Sequence, residues 1–440
     1  MAINDRIMSW IGGDGTLNDR INGLEGNAVS AITNPVTGGS RLSAGSASFT
    51  VQQEWLAGAV GRLQPLESFG RLSDFTVNNT GSVVAAVTGE GAIRPDCINI
   101  TTPALAAQSA YLTKDLIFNQ NAMNGMWLLG KWNNRVTGSS PNVTLYASQL
   151  AALGAGNRFS YVMPNELTQI VGDQAVWVDK SKWTVLDGAP AWTNNMLSFR
   201  LRVDSAAAEI RDNDFKGLLF GGAKPAVVIT FDDSKASSYS IGYVEASKRE
   251  IPLTHYVMPL QLNTGGYLTT AQCQEMTANG NYIGLHGFDT WHNDLSRIVS
   301  DRDALLATGL SDCKHAAVPE GNVGVGTYWT TTKAALAAAG CVTARLAAGI
   351  QTPTLRGYVD PYCLPAYPLN NTMTLVQAKA AVDAAIASGG TVFFYAHNIG
   401  GAADSTTWLT ADYTALLDYI NLARQKRSLD VMTIKQWWEQ

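Results

Sequence analysis

Two adjacent carboxylates, Asp232 and Asp233, close the apolar run Ala226-Val227-Val228-Ile229-Thr230-Phe231. Val227 to Thr230 are β-formers and read as a buried strand. Successive strand side chains point to opposite faces, but a chain turning into a loop lets both acids reach one cleft. Two like charges at the edge of an apolar core repel, and a metal ion or a division of roles offsets that cost. The chain has only five histidines, His255, His286, His292, His315 and His397. His286 follows the run Tyr282-Ile283-Gly284-Leu285, His292 lies six residues on, and His397 follows Thr391–Ala396. Strand C-termini converge on the active site in parallel β/α folds. Two carboxylates and three imidazoles on one such rim form a metal-hydrolase constellation. His255 lies mid-strand and reads as core. His315 opens a strand and fits either role.

The elements that must position these residues alternate between strand and helix. Strands are expected at 227–231, 254–258, 282–285 and 391–396. Helices are expected near 237–249, 270–279, 295–309, 332–339, 374–388 and 411–424, with a last segment at 431–434. Gly340 and Gly389-Gly390 stop two of the helices. This alternation implies parallel strands, as a barrel or a doubly wound sheet. A short hinge, Gly221-Gly222-Ala223-Lys224-Pro225, precedes it.

From 71 to about 220 the period changes to two. Met196–Val203 puts Leu197, Phe199, Leu201 and Val203 on one face and Ser198, Arg200 and Arg202 on the other. Similar runs occur at 82–87, 126–131, 142–147, 158–163 and 175–179, which predicts a β-sandwich of jelly-roll type. Trp127, Trp132, Trp177, Trp183 and Trp192 lie here and read mainly as core, with sugar stacking as the functional alternative. Asn78, Asn99 and Asn142 begin N-x-Thr sequons. Residues 1–70 read as a leader, either a tail or a docking or oligomerisation segment, with short helical patches near 19–29 and 51–63.

Composition narrows the classes. Charged residues make up 15% of the chain, against roughly 25% in average proteins, and Ser, Thr, Asn and Gly supply the polarity. That suits secreted-type or virion surface proteins. The net charge is −5 and no Lys/Arg cluster suggests a nucleic-acid site. No apolar run approaches the roughly 18 residues of a membrane span, so no membrane insertion is expected. Five cysteines without CxxC spacing argue for buried free thiols. The first residues carry no apolar signal-peptide core, so release by lysis or a virion location is expected.

Thr230-Phe231-Asp232-Asp233-Ser234 resembles the Thr-Phe-Asp-Asp-Gly signature of the polysaccharide deacetylases, the NodB-type carbohydrate esterases. His286 and His292 resemble the family's His pair, Ala316–Gly321 its Pro-centred motif, and Tyr395-Ala396-His397 its last motif. The likeness covers roughly 225–440 and implies a distorted β/α barrel. It implies that Asp233, His286 and His292 bind a divalent metal, most simply zinc. It further implies that Asp232 is the general base, that His397 protonates the leaving group, and that a backbone N–H near Pro319–Gly321 holds the oxyanion. The expected reaction is removal of N- or O-acetyl groups from an acetylated polysaccharide of capsule or O-antigen type.

The chain departs from the family pattern in places. Its His pair stands six apart instead of four, which makes Asp289 a rival for His292. No arginine stands in Ala316–Gly321, where the family carries one that orients the catalytic aspartate. Asp360 is a loose match for the aspartate that tunes the catalytic histidine. A glycan-binding adhesin on the same scaffold is the alternative to an active enzyme. A leader (1–70), a sandwich (71–222) and a glycan-modifying domain (223–440) resemble the layout of bacteriophage tail fibres and tailspikes. That layout implies virion docking through the N-terminus and a possible homotrimer.

Overall fold

The computed structural model describes residues 63–440 except 93–94, 106–107, 119–123, 134–142, 165–171, 206–209, 223, 289–290, 322–326, 348–351 and 427. The leader up to 62 with its expected helical patches, Asn142 and Asp289 lie outside the described residues.

Two six-stranded antiparallel sheets form a β-sandwich. One runs in the order Val83–Thr88, Asp96–Thr102, Arg211–Phe220, Gly125–Trp132, Gly172–Asp179, with Gln64–Glu67 also on Arg211–Phe220. The other runs Thr184–Asp187, Arg158–Val162, Val143–Ser148, Met196–Asp204, Ser109–Phe118, Thr76–Thr80. The expected alternation holds in Met196–Asp204 with one change: a bulge between Met196 and Ser198 buries both and leaves Leu197 half-exposed. Gln64–Glu67 comes from the end of the stretch read as a leader. Glu67 pairs with Lys114 at 2.6 Å, and Phe69 is fully buried.

The sandwich tryptophans do not form a sugar platform. Trp127, Trp132, Trp177 and Trp183 are buried, and Trp192 stacks on Phe159 with ring centroids 4.1 Å apart. The strand Arg211–Phe220 was not legible from hydrophobic period, because it buries Arg211, Asn213, Asp214 and Lys216. Its charges are met laterally: Asn99 donates to Asp212 and Asp214 at 2.6 and 2.7 Å, and Asn133 donates to Asp214 at 2.9 Å.

The second half is a parallel sheet of eight strands, ordered Thr343–Arg345, His315–Ala317, Tyr282–His286, Thr254–Val257, Ala226–Phe231, Thr391–Ala396, Tyr367–Pro368, with Asp430–Val431 also on Ala226–Phe231. A single bridge from Arg345 to Leu364 links the far edge to the segment leading into Tyr367–Pro368, so the sheet curls into a partial barrel. Three of its helices begin with Thr-x-x-Gln capping boxes, at Thr269/Gln272, Thr374/Gln377 and Thr433/Gln436. Each box satisfies two otherwise orphaned backbone N–H groups. Gly389 ends the helix Leu375–Ser388 at φ 67°, where a side chain would be strained. After Ala226–Phe231 the first connection is π-helical over Ser238–Tyr243 and then α-helical over Val244–Ser247. A Cβ at Gly242 would lie 2.6 Å from the Phe231 ring.

The expected hinge is a packed seam. The Trp127 indole N–H donates to Gly221 O at 3.1 Å and Ser388 O at 3.2 Å, joining sandwich and sheet. A Cβ at Gly222 would lie 2.0 Å from Ser388 O, so only glycine fits. Gly61–Gln440 is accordingly one compact unit. All five cysteines are buried, and none forms a disulfide. Among the described residues no helix is long and apolar enough to cross a membrane.

Candidate active site

The central strand Ala226–Phe231 is buried along its length, with Thr254–Val257 on one side and Thr391–Ala396 on the other. Its end carries the two aspartates onto the C-terminal rim. Asp232 N–H continues the ladder to Ala396 O at 2.9 Å. Asp233 and Ser234 then take left-handed conformations, φ 64° and 54°. Non-glycine residues there cost of order 1–2 kcal/mol each, and such strain clusters at functional sites. Ser234 stands where the resembling signature has glycine. Its hydroxyl accepts from Met258 N–H at 2.7 Å and its carbonyl accepts from Leu268 N–H at 2.7 Å.

The register brings the other residues to the same rim. His286 ends its strand opposite Ala317, and Ala317 lies opposite Arg345 on the next strand. His397 follows Ala396, which is opposite Phe231. Asp232, Asp233, His286 and His397 share one cavity of about 380 Å³, walled by Phe288, Val318 to Gly321, Ala347 and Tyr395.

His286 is buried, and its Nδ1–H donates to Ala317 O at 2.8 Å. That bond leaves Nε2 facing Asp233 Oδ1 at 3.1 Å, where it donates to the carboxylate when protonated and offers a lone pair when not. His397 Nε2 lies 3.9 Å from Asp233 Oδ2, with its ring edge-on to Tyr395. Burial pushes the Asp233 carboxyl up, but the hydrogen bond and charge of His286, with His397 and Lys235 nearby, outweigh it and hold the group below the usual range. Burial opposes the charge on His286 too, yet bonding to Asp233 and the field of both aspartates raise its pKa.

Asp232 is paired with a residue that sequence reasoning missed. Its Oδ2 accepts from the Arg345 guanidinium, and both side chains are buried. Arg345 also donates to Leu346 O at 3.2 Å and stacks over Tyr395, 4.7 Å from the ring centroid. No arginine stands in Ala316–Gly321, and the one that meets Asp232 comes from the following strand. The available signal was a lone Arg at the end of the short apolar run Val342-Thr343-Ala344, after the helix that Gly340 stops. Asp232 Oδ1 has no partner among the described residues.

Asp233 and His286 suit one divalent ion. A lone-pair nitrogen and a carboxylate oxygen 3.1 Å apart can share a cation at bonds of about 2.1 Å, and the N–H to carbonyl bond behind His286 is the usual support of a ligating imidazole. Among the described residues no third His, Cys, Asp or Glu completes a cluster. His292 lies in the 3₁₀ turn Trp291–Asn293, and its side chain is outside the described residues. The turn is anchored by buried Trp291, whose indole N–H donates to Asp301 at 2.9 Å.

The remaining candidates lie elsewhere. His255 is core, stacked on Phe231. His315 is buried, with Nδ1 2.9 Å from Thr343 Oγ1. Asp360 does not reach His397. It pairs with Lys333 and accepts from Tyr362 N–H at 3.0 Å, in a different cavity.

No family model matches the chain, and no curated protein matches it. Among solved structures it is similar to a family 4 carbohydrate esterase from Streptomyces lividans in complex with acetate, at 14% identity, covering 47% of this chain and 91% of that one, with a TM-score of 0.32. It is also similar to a family 4 acetyl xylan esterase from Clostridium thermocellum in complex with a cobalt ion, at 15% identity, 49% and 90% coverage and a TM-score of 0.33. A family 11 carbohydrate-binding module from Clostridium thermocellum matches at 12% identity, 38% and 98% coverage and a TM-score of 0.27.

Proposed function

We propose that the chain is a metal-dependent hydrolase that removes acetyl groups from a bacterial surface polysaccharide. The observation that carries this reading is the buried Asp232–Arg345 pair beside Asp233, His286 and His397 in one cavity. Asp233 and His286, joined by His292 from the following turn, would hold the ion, zinc suiting the N/O donor set. When bound, it supplies a Lewis acid for the acetyl carbonyl and acidifies a water.

The chain's own residues divide the proton work. Arg345 occupies Asp232 Oδ2 and leaves Oδ1 to take the proton from the attacking water. His397, a quarter exposed, delivers a proton to the departing sugar nitrogen or oxygen. Pro319 has no N–H and Gly321 N–H is bonded to Val318 O at 2.9 Å, so the oxyanion contact falls to Glu320 N–H. Glu320 has φ 56° and lines the cavity. The products are acetate and a deacetylated glycan. Within this reading the chain works from a virion tail or after lysis, as a possible trimer, on a capsule or O-antigen.

The test is acetate release from a panel of acetylated capsules, with metal analysis. Asp233→Ala should lose both metal and acetate release while staying folded. Full metal content and full turnover in that variant would sink the assignment.

A further inference from the structure

We propose that the outer face of the sandwich sheet containing Met196–Asp204 binds an acidic glycan, with Arg200 as the anchor of one sugar carboxylate. Arg202 stands opposite Tyr111 and Thr144 on the flanking strands, and Arg200 stands opposite Thr113 and Tyr146. Phe199, Leu201 and Val203, which alternate with the two arginines, fill the core. The pleat therefore turns all six of these residues away from it.

Two arginines of this face are neutralised: Arg158 pairs with Asp187, and Arg202 pairs with Asp204 at 2.7 Å. Arg200 is half-buried, yet among the described residues no carboxylate pairs with it. Asp115, on the same face, accepts from Ala152 N–H at 2.6 Å instead. Arg200 Nε–H donates to Thr113 Oγ1 at 2.8 Å. Its two Nη groups meet no acceptor among the described residues and stay open to solvent. Burial lowers the Arg200 pKa, and the other groups acting on it are tyrosines and arginines, not acids. A largely covered cation that lacks its anion points to one brought by a ligand.

The guanidinium is held in place. Arg200 and Arg202 both lie over the Tyr111 ring, 5.3 and 5.4 Å from its centroid, and Arg202 donates to Tyr146 Oη at 3.3 Å. The Thr113 bond holds Nε toward the sheet and leaves the fork facing out. A planar fork of N–H donors matches a carboxylate in two parallel bonds. The same row continues from Tyr146 to Ser160 and Thr184, whose hydroxyls lie 3.1 Å apart. Hydroxyls that both donate and accept, beside a half-buried tyrosine ring, suit the hydroxyls and the C–H face of a sugar. The chain's net charge is −5, so the pull on an acidic glycan is local to this face.

The proposal is read by binding, so it stands or falls apart from deacetylation. Calorimetric titration of the full chain uses galacturonate, mannuronate and hyaluronan tetrasaccharides, with maltotetraose as the neutral control and tetraglutamate as the acidic peptide. At least one of the three acidic sugars should bind more tightly than both controls, and less tightly as salt rises. Arg200→Gln should weaken that binding by about tenfold, the worth of one hydrogen bond to a charged group. Arg200→Lys, which keeps the charge without the fork, should weaken it by less. Lys224→Gln, which removes an exposed charge elsewhere, should leave it unchanged, and so should Asp233→Ala. The proposal is overturned if no acidic sugar binds, if maltotetraose binds as well, or if binding survives Arg200→Gln. Preference for tetraglutamate would assign the face to an acidic peptide instead, and loss of binding in Asp233→Ala would place the sugar in the Asp233 cavity.

Discussion

Arg345 reaches Asp232 across three intervening strands: Thr343–Arg345 and Ala226–Phe231 are separated by His315–Ala317, Tyr282–His286 and Thr254–Val257. Only a curled sheet brings the two together. A buried carboxylate without its cation is strongly disfavoured, so the pair couples the curvature of the sheet to the charge state of Asp232. Arg345→Met should cost about 3–5 kcal/mol, the usual range for breaking a buried ion pair, and chemical denaturation will measure it. Arg345→Lys should restore part of that stability. It should keep KM within about threefold while kcat falls by about 10²-fold, at the lower end of the range for general-base catalysis. A kcat equal to wild type in Arg345→Lys would remove Arg345 from the mechanism.

Ser234 separates strain from bonding. Ser234→Ala keeps the left-handed backbone and leaves Met258 N–H without its acceptor, which should cost about 1–3 kcal/mol. Ser234→Gly loses the same bond but relieves the backbone, so it should lose less. Denaturant midpoints in the order wild type, Ser234→Gly, Ser234→Ala are expected, and the reverse order of the two variants would contradict the strain.

Two structural histidines should set the acid limb of stability. Burial alone lowers the His255 pKa to about 3, and burial chiefly lowers that of His315 to about 4. Both fall below the unfolded value near 6.5, so the unfolded chain binds more protons and stability drops as pH falls below 6.5. The slope approaches about 1.4 kcal/mol per pH unit for each histidine. At pH 5 His255 alone should cost about 2 kcal/mol relative to pH 7. Unfolding free energies of His255→Phe between pH 5 and 7 should show a flatter acid limb. An unchanged slope would contradict the burial.

The seam should tolerate no added volume. Gly222→Ala forces a methyl against Ser388 O, and overpacking of this kind costs about 1–3 kcal/mol. Thermal unfolding should show a lower, still single transition, because sandwich and sheet are welded there. Two separated transitions would mean that the halves unfold independently.

Truncation separates what residues 63–70 contribute from what precedes them. Removal of residues 1–70 takes away Phe69 and the Gln64–Glu67 strand and should destabilise the sandwich. Removal of 1–62 leaves both and should keep acetate release. Equal melting temperatures for the two truncations would show that the strand contributes nothing.

Much of this was legible because local signals agreed with the fold. The strand 227–231, the capped helices and the rim positions of Asp232, Asp233, His286 and His397 all followed from periodicity and punctuation. The sandwich was half visible: Arg211–Phe220 and Asp96–Thr102 satisfy buried charges laterally through Asn99 and Asn133, which no hydrophobic pattern records. Arg345 was invisible for a related reason. Its strand, Thr343–Arg345, is three residues long, too short for a period, and its partner lies 113 residues away. Asp360 was misplaced because a motif match carries no geometry, and its cation proved to be Lys333.

The Trp127 contact with Gly221 and Ser388 has an evolutionary corollary. Many glycan-active proteins trade modules at linkers like beads on a thread. Here one indole is keyed into carbonyls from both sides of the nominal junction. A recombination event at residue 222 would strand that indole and expose Gly222 to a partner it has never met. The two halves should therefore be inherited together, and chimaeras built on this scaffold should place their crossover before residue 63, never at the seam.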